Sequence, residues 1–200
     1  PSASRGWPEM KKLALVFGGS RGIGEACVQV LAEQGFDVAY TYVASKPATQ
    51  AKGTKAYRAD VTDPAQVAQA FADASRDFGA PVHCVVANAG IAPRTPIGRG
   101  ALADLQETIA VDLTGACATV DAAVRHFRTR GHGQVVGITS VARYRGLPNF
   151  GAYSAAKQGL HRYLQVLRIE SWHEDITVTE LAPGYIDTPL LDDIPDFMKQ

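Results

Sequence analysis

Apolar positions fall into short unbroken runs that alternate with longer stretches of helical spacing. Residues 13–17 (LALVF) contain no polar position and end at Gly18-Gly19, which predicts a buried strand. Residues 22–34 predict a helix, with Ile23, Ala26, Cys27, Val30 and Leu31 on its apolar face and Gly35 as its stop. Residues 37–42 are rich in β-branched and aromatic side chains and predict a second strand, and 55–58 a weaker third. Asp63-Pro64-Ala65-Gln66 is a helix start, with Asp as cap, Pro at the first position and Gln at the third; that helix runs to Phe78 and Gly79. Residues 82–87 predict a strand covered on both faces, polar only at His83. Residues 102–130 predict a long helix bent near Gly115, 134–138 a strand, 153–172 a helix and 176–181 a last strand closed by Pro183-Gly184.

Strands alternating with helices predict parallel strands joined by right-handed crossovers, in an α/β doubly wound sandwich of three layers. Residues 11–200 read as one such domain, with no repeats. One connection is short: 43–54 contains Pro47 and Gly53 and has room for about two helical turns at ~3.6 residues each, so the sheet there is expected to be thinly covered.

Composition narrows the function classes. The 200 residues carry 20 basic and 20 acidic side chains, so no electrostatic footprint marks a nucleic acid or anionic membrane partner. No apolar run reaches the length of a bilayer span. Cys27, Cys84 and Cys117 are far apart and odd in number, which points to free thiols in a reducing compartment and a cytoplasmic protein. Residues 1–10 have the small, polar look of a tag remnant or disordered segment, with Met10 a candidate natural start. His83, His126, His132, His161 and His173 show no zinc-ligand spacing, and Asp192, Asp193 and Asp196 read as solvated, so no metal site is expected.

Gly18-Gly19-Ser20-Arg21-Gly22-Ile23-Gly24 lies between the first strand and the first helix. Glycines there let backbone amides approach a pyrophosphate, and the helix start adds free N–H groups and the positive dipole end. An NAD site usually places a carboxylate after the second strand to hold the ribose hydroxyls. Here that strand ends Tyr42-Val43-Ala44-Ser45-Lys46; with Arg21, Ser45 and Lys46 nearby the site suits a 2′-phosphate, so NADP(H) is expected over NAD(H).

The glycine turn, Asp60-Val61, Asn88-Ala89-Gly90, Ser140, Tyr153-Ser154-Ala155-Ala156-Lys157 and Pro183-Gly184 with Thr188 together resemble the short-chain dehydrogenases/reductases, from about residue 13 to 190. The resemblance implies a Rossmann-type sheet of about six strands in the order 3-2-1-4-5-6 and hydride transfer between a carbonyl or alcohol and the nicotinamide cofactor. It implies that Asp60 and Val61 flank the adenine and that Asn88, Ala89 and Gly90 line the cleft. Pro183, Gly184, Ile186 and Thr188 form the cofactor-proximal loop, and Lys157 holds the nicotinamide ribose. The chemistry is coherent on its own terms. A free tyrosine has a pKa of about 10, too high for proton exchange at neutral pH. Lys157 lies four residues after Tyr153 on one helix face, where its cation favours tyrosinate. Ser140 supplies a hydroxyl for the substrate oxygen, and no Gly-x-Ser-x-Gly elbow marks it as a hydrolase nucleophile.

The chain departs from the family pattern in several places. Phe17 stands where a threonine hydroxyl usually ties down the turn, and Ala87 where an asparagine is common. Asp112 replaces the asparagine of the proton relay; it either pairs with Lys157 and weakens its pull on Tyr153, or stays protonated and keeps a donor. Residues 188–200 read as the start of a substrate lid, and the family's final edge strand is missing, as in a truncated or minimal chain. Arg143-Tyr144-Arg145 either faces an anionic or aromatic substrate group or is a solvated loop. The helices over 102–130 and 153–172 are the expected homodimer surface, by resemblance. Two functions remain open, a catalytic reductase and a nucleotide-binding sensor with weak or no turnover.

Overall fold

The apolar run Leu13–Phe17 forms strand β1, and every one of its side chains is buried because helices cover the sheet on both faces. The structure, a computed structural model, describes residues 12–44 and 51–188. β1 pairs in parallel with β2 (Asp37–Tyr42) on one side and β4 (Val82–Ala87) on the other. β3 (Thr54–Arg58) extends the sheet beyond β2, while β5 (His132–Ile138) and β6 (Asp175–Leu181) extend it beyond β4. The order is β3-β2-β1-β4-β5-β6, as expected. The chain therefore winds first one way and then the other from β1, leaving a crevice where β1 and β4 part.

The two faces of the sheet are unequal. Phe17 and Phe71 meet on one face with Phe127, Val120, Leu160 and Leu164, drawn from the helices α2 (Pro64–Phe78), α4 (Ala116–Arg128) and α5 (Gly151–Glu170). Burial of each such side chain is worth about 1.5–3 kcal/mol. The other face, with Val16, Val38, Tyr40 and Val86, packs on Val28 of α1 (Gly22–Glu33). Helix α1 turns differently from its apolar spacing. Gly24 and Val28 point inward, Ile23, Cys27 and Leu31 pack at the margins, and Ala26 and Val30 are exposed. Closeness decides this over hydrophobicity: a Cβ on Gly24 would lie 2.0 Å from the Gly18 carbonyl oxygen, so only a glycine can sit at the contact.

Helix α2 is capped as its start implies. Asp63 accepts from the Ala65 amide at 2.9 Å and the Gln66 amide at 3.4 Å, and Gln66 Nε2 returns a bond to Asp63. Gly79 closes the helix in the left-handed region, with φ of 62°. The long helical stretch is not one bent helix. It is α3 (Leu102–Ile109), a π-helical segment (Ala110–Gly115) and α4 in direct succession. Such wide turns are frequent at functional sites, and this one carries Asp112. Residues 45–50 of the short connection lie outside the described residues; those flanking them form no helix, and no residue of β3 is buried.

Candidate active site

A cleft of about 520 Å³ opens at the C-terminal ends of the central strands, where the strand order reverses. The glycine turn forms its floor. Gly18 has φ of 76°, and a Cβ there would come within 2.8 Å of the Ala89 backbone. Three contacts hold the turn. The Gly18 amide donates to Thr41 Oγ1 at 3.1 Å, the Gly19 amide donates to the Thr41 carbonyl at 3.0 Å, and Asn88 Nδ2 donates to the Gly18 carbonyl at 2.8 Å. A hydroxyl is thus supplied to the turn despite Phe17, from the neighbouring strand, and Phe17 is instead a fully buried core side chain.

Helix α1 begins without a side-chain cap, unlike α2, and its first two residues, Gly22 and Ile23, line the cleft. An uncapped helix start leaves N–H donors for an anion. Ser20 and the exposed Arg21 line the same end. Gly24 lies beneath the turn rather than on the cleft wall. Tyr42, which ends β2, and Val43 and Ala44 after it line the cleft without a carboxylate; Ser45 and Lys46 lie outside the described residues. The donors and the glycine-shaped floor fit a dinucleotide.

Asp60 and Val61 both border the cleft, yet each has other work. Asp60 Oδ1 accepts from the Thr62 amide at 2.9 Å and the Thr62 hydroxyl at 2.7 Å, and the Val61 side chain is buried against the position of Gly115. Asn88, Ala89 and Gly90 form the opposite wall, and Pro183, Gly184, Ile186 and Thr188 close it.

Deeper in, Lys157 is 3 % exposed. Its Nζ lies 3.1 Å from Asp112 Oδ2, donates to the Ile138 carbonyl at 3.3 Å, and sits 5.5 Å from the centroid of the Tyr153 ring. Asp112 Oδ1 accepts from the Ile91 amide at 2.8 Å. Oδ1 thus holds a backbone hydrogen bond, while Oδ2 faces the Lys157 ammonium at ion-pair distance without a hydrogen bond of its own. Burial pushes the Asp112 carboxyl above the ordinary aspartate range, against the pull of Lys157 and the Ile91 amide. Burial works against the Lys157 charge, but Asp112 and then Tyr153 outweigh it and hold the ammonium above the ordinary lysine range. Gly90 sits against this pair: a Cβ there would lie 2.9 Å from Asp112 Oδ2. Ser140 caps the 3₁₀ turn Val141–Arg143, its Oγ accepting from the Ala142 amide at 3.1 Å, so the hydroxyl hydrogen stays available to a ligand. Tyr153 is half-buried on the cleft side of α5.

A family model described as short chain dehydrogenase matches residues 12–199. The chain belongs to the short-chain dehydrogenase/reductase family. It is 35% identical over 193 residues to cis-4-hydroxycyclohexanecarboxylate dehydrogenase of Sinomonas cyclohexanicum, covering 92% of this chain and 77% of that one. It is 33% identical over 186 residues to acetoacetyl-CoA reductase of Paracoccus denitrificans (91% and 76% covered). It is 32% identical over 193 residues to the 3-oxoacyl-(acyl-carrier-protein) reductase MabA of Mycobacterium tuberculosis (96% and 76% covered). As an oxidoreductase of this family it shares the fold and hydride-transfer chemistry of these relatives.

Within Arg143-Tyr144-Arg145, Tyr144 and Arg145 are exposed, as in a solvated loop, and only Arg143 departs from both alternatives. Arg143 faces neither the cleft nor open solvent; its side chain is 11% exposed and lies 3.3 Å from Glu180 Oε1, because a buried carboxylate on β6 attracts it. Sequence reasoning missed Thr41, whose strand position gave no sign of a bond to the turn. It also missed Glu107 on the cleft wall and the Glu180 cluster, whose members are far apart in sequence. Among the described residues, no three His, Cys, Asp or Glu side chains converge on a metal-sized site, and no helix is long and apolar enough to cross a membrane.

Removing one partner of a buried ion pair strands the other. Asp112→Ala should cost about 3–5 kcal/mol in urea unfolding, and Asp112→Asn, which keeps one acceptor oxygen, less. An Asp112→Ala protein as stable as the parent would contradict the pairing.

Proposed function

We propose that this chain is an NADP(H)-dependent carbonyl reductase or alcohol dehydrogenase acting on a small-molecule substrate, with Tyr153 as general acid and base. One observation carries the reading: Tyr153, the Ser140 hydroxyl and the buried Lys157 border the same cleft as an uncapped helix start and its glycine turn. The nucleotide, when bound, supplies or accepts the hydride. Gly18, Ser20, Gly22 and Ile23 would hold its phosphates, with Gly24 keeping the turn close to the helix. Asp60, Val61, Asn88, Ala89 and Gly90 would shape the nucleoside walls, and Pro183, Gly184, Ile186 and Thr188 the nicotinamide side. Arg21, exposed at the cleft edge, together with the lack of a carboxylate among the described residues 42–44, supports the 2′-phosphate and hence NADP(H) over NAD(H).

During reduction Ser140 donates a hydrogen bond to the substrate oxygen, and Tyr153 gives that oxygen its phenolic proton as the carbon gains the hydride. Lys157 faces the ring of Tyr153 and stabilises the charge left on it. In the oxidative direction the same proton returns to Tyr153. Asp112 fixes Lys157 in place. The relatives named for acetoacetyl-CoA, for 3-oxoacyl chains and for a hydroxycyclohexane ring support a ketone or secondary alcohol as the reacting group.

Asp112 also favours a second reading, a nucleotide-binding sensor, since it competes with Tyr153 for the Lys157 charge. A homodimer through α4 and α5 is supported by the exposed Val166 and Ile169 of α5, beside the groove between the two helices, and by Trp172 just after it. Light scattering should give the mass of two chains; the mass of one at high concentration would refute this surface. The three unpaired cysteines suit a cytoplasmic setting.

The deciding experiment follows NADPH and NADH oxidation with acetoacetyl-CoA, and NADP⁺ reduction with cis-4-hydroxycyclohexanecarboxylate. NADPH should support faster turnover than NADH at equal concentration. Tyr153→Phe should abolish turnover while NADPH fluorescence still reports binding. Turnover by Tyr153→Phe would remove that residue from the role, and NADPH binding without turnover across a wider ketone panel would favour the sensor.

A further inference from the structure

A second polar cluster lies behind Ser140, outside the residues given a role above. Glu180, on the β6 strand at the sheet edge among the described residues, has a side chain only 6% exposed. Its Oε1 accepts from the Thr139 hydroxyl at 2.7 Å and lies 3.3 Å from Arg143 Nε. Its Oε2 lies 2.9 Å from His161 Nδ1. Arg143 Nη1 in turn lies against the His161 ring, 2.8 Å from Nε2. His161 Nδ1 thus faces both Glu180 and Arg143 Nη1, and the cluster closes on itself. Arg168, 40% exposed and 4.0 Å away, stands at its margin. Burial alone would push the Glu180 carboxyl up. The bonds from Thr139 and His161, with the charges of His161 and Arg143, outweigh burial and hold it below the ordinary glutamate range.

The members of this cluster bracket the catalytic segment. Thr139 immediately precedes Ser140, and Arg143 ends the 3₁₀ turn that Ser140 caps. His161 is four residues after Lys157, so Tyr153, Lys157 and His161 form one stripe along α5. The backbone on both sides of Ser140 is already tied to the same edge, the Thr139 amide to the Leu181 carbonyl at 2.8 Å and the Val141 amide to the Pro183 carbonyl at 2.9 Å. What remains for side chains to fix is how the turn sits against α5, and hence where the Ser140 hydroxyl lies relative to Tyr153.

Resting on the reductase reading above, we propose that Glu180 is a positioning residue for Ser140: its carboxylate clamps the Ser140 turn at both ends, through Thr139 and Arg143, and pins it to α5 through His161. Neutralising or removing it leaves Arg143 without its buried counter-ion, and that guanidinium then leaves for solvent and takes the turn with it. A displacement of about 1 Å at such a group costs up to ~10²-fold in rate.

The test uses the full chain, NADPH and acetoacetyl-CoA. Glu180→Ala should lower kcat roughly 10- to 100-fold and leave the KM for NADPH within about twofold. Glu180→Gln keeps an acceptor for Thr139 and should recover part of the loss; it also serves if the alanine variant fails to fold. Because Glu180 acts through Ser140, adding Glu180→Ala to Ser140→Ala should cost less than about threefold more. Hydrogen exchange should quicken over residues 139–144 in both Glu180 variants and stay unchanged over the glycine turn. Multiplicative losses in the double variant, a raised KM for NADPH, or unchanged exchange over 139–144 would overturn the proposal. A parent chain with no turnover would overturn the reductase reading instead, and the exchange result would still decide whether the clamp exists.

Discussion

A buried ammonium has to be paired, and the site is arranged around that requirement. Lys157 is almost wholly out of water and meets the Asp112 carboxylate, the Ile138 carbonyl and the ring of Tyr153. These partners come from the π-helical segment, the end of β5 and α5 itself, so one charge ties three elements together at the mouth of the crevice. The neighbourhood follows from it. Gly90 has no side chain because the pair occupies the space beside it, and the Ile91 amide turns to Asp112 as a further donor. A carboxylate in place of a neutral amide makes this a charged pair, and burial of both members makes its geometry costly to disturb.

The architecture was legible because it depends on local patterns. The unbroken run of β1, the Asp63-Pro64 start of α2 and the glycine stops each dictate local structure with little help from distant residues. What was not legible depends on contact. Spacing turned Ala26 and Val30 of α1 inward, but the approach of Gly24 to the Gly18 carbonyl rotates the helix away from them. A bend was foreseen near Gly115, while the widened turn that buries Asp112 carries no distinct sequence mark. The same holds at the site. The glycine turn, Ser140, Tyr153 and Lys157 follow a recognisable order and do share one cleft. Thr41 bonds to Gly18 across 23 positions, and Glu180 to His161 across 19, which no periodicity reveals.

The site is thus held from two sides. On one, Thr41 and Asn88 fix the glycine turn so that the first amides of α1 face the crevice. On the other, the segment carrying Ser140 runs along β6 and is joined to α5 by the Glu180 cluster. Between these supports lie the groups suited to proton transfer. On the proposed reading, preorganisation of this kind would let a hydroxyl and a phenol act without waiting for the protein to rearrange.

The most direct measurement is a crystal structure of the chain with NADP⁺. The account predicts pyrophosphate density over the glycine turn, a 2′-phosphate against Arg21, and a nicotinamide ring beside the Tyr153 hydroxyl, leaving room for a substrate carbon at about 3–3.5 Å from the ring. Nucleotide bound outside this crevice, or a Tyr153 hydroxyl turned away from the nicotinamide, would contradict it.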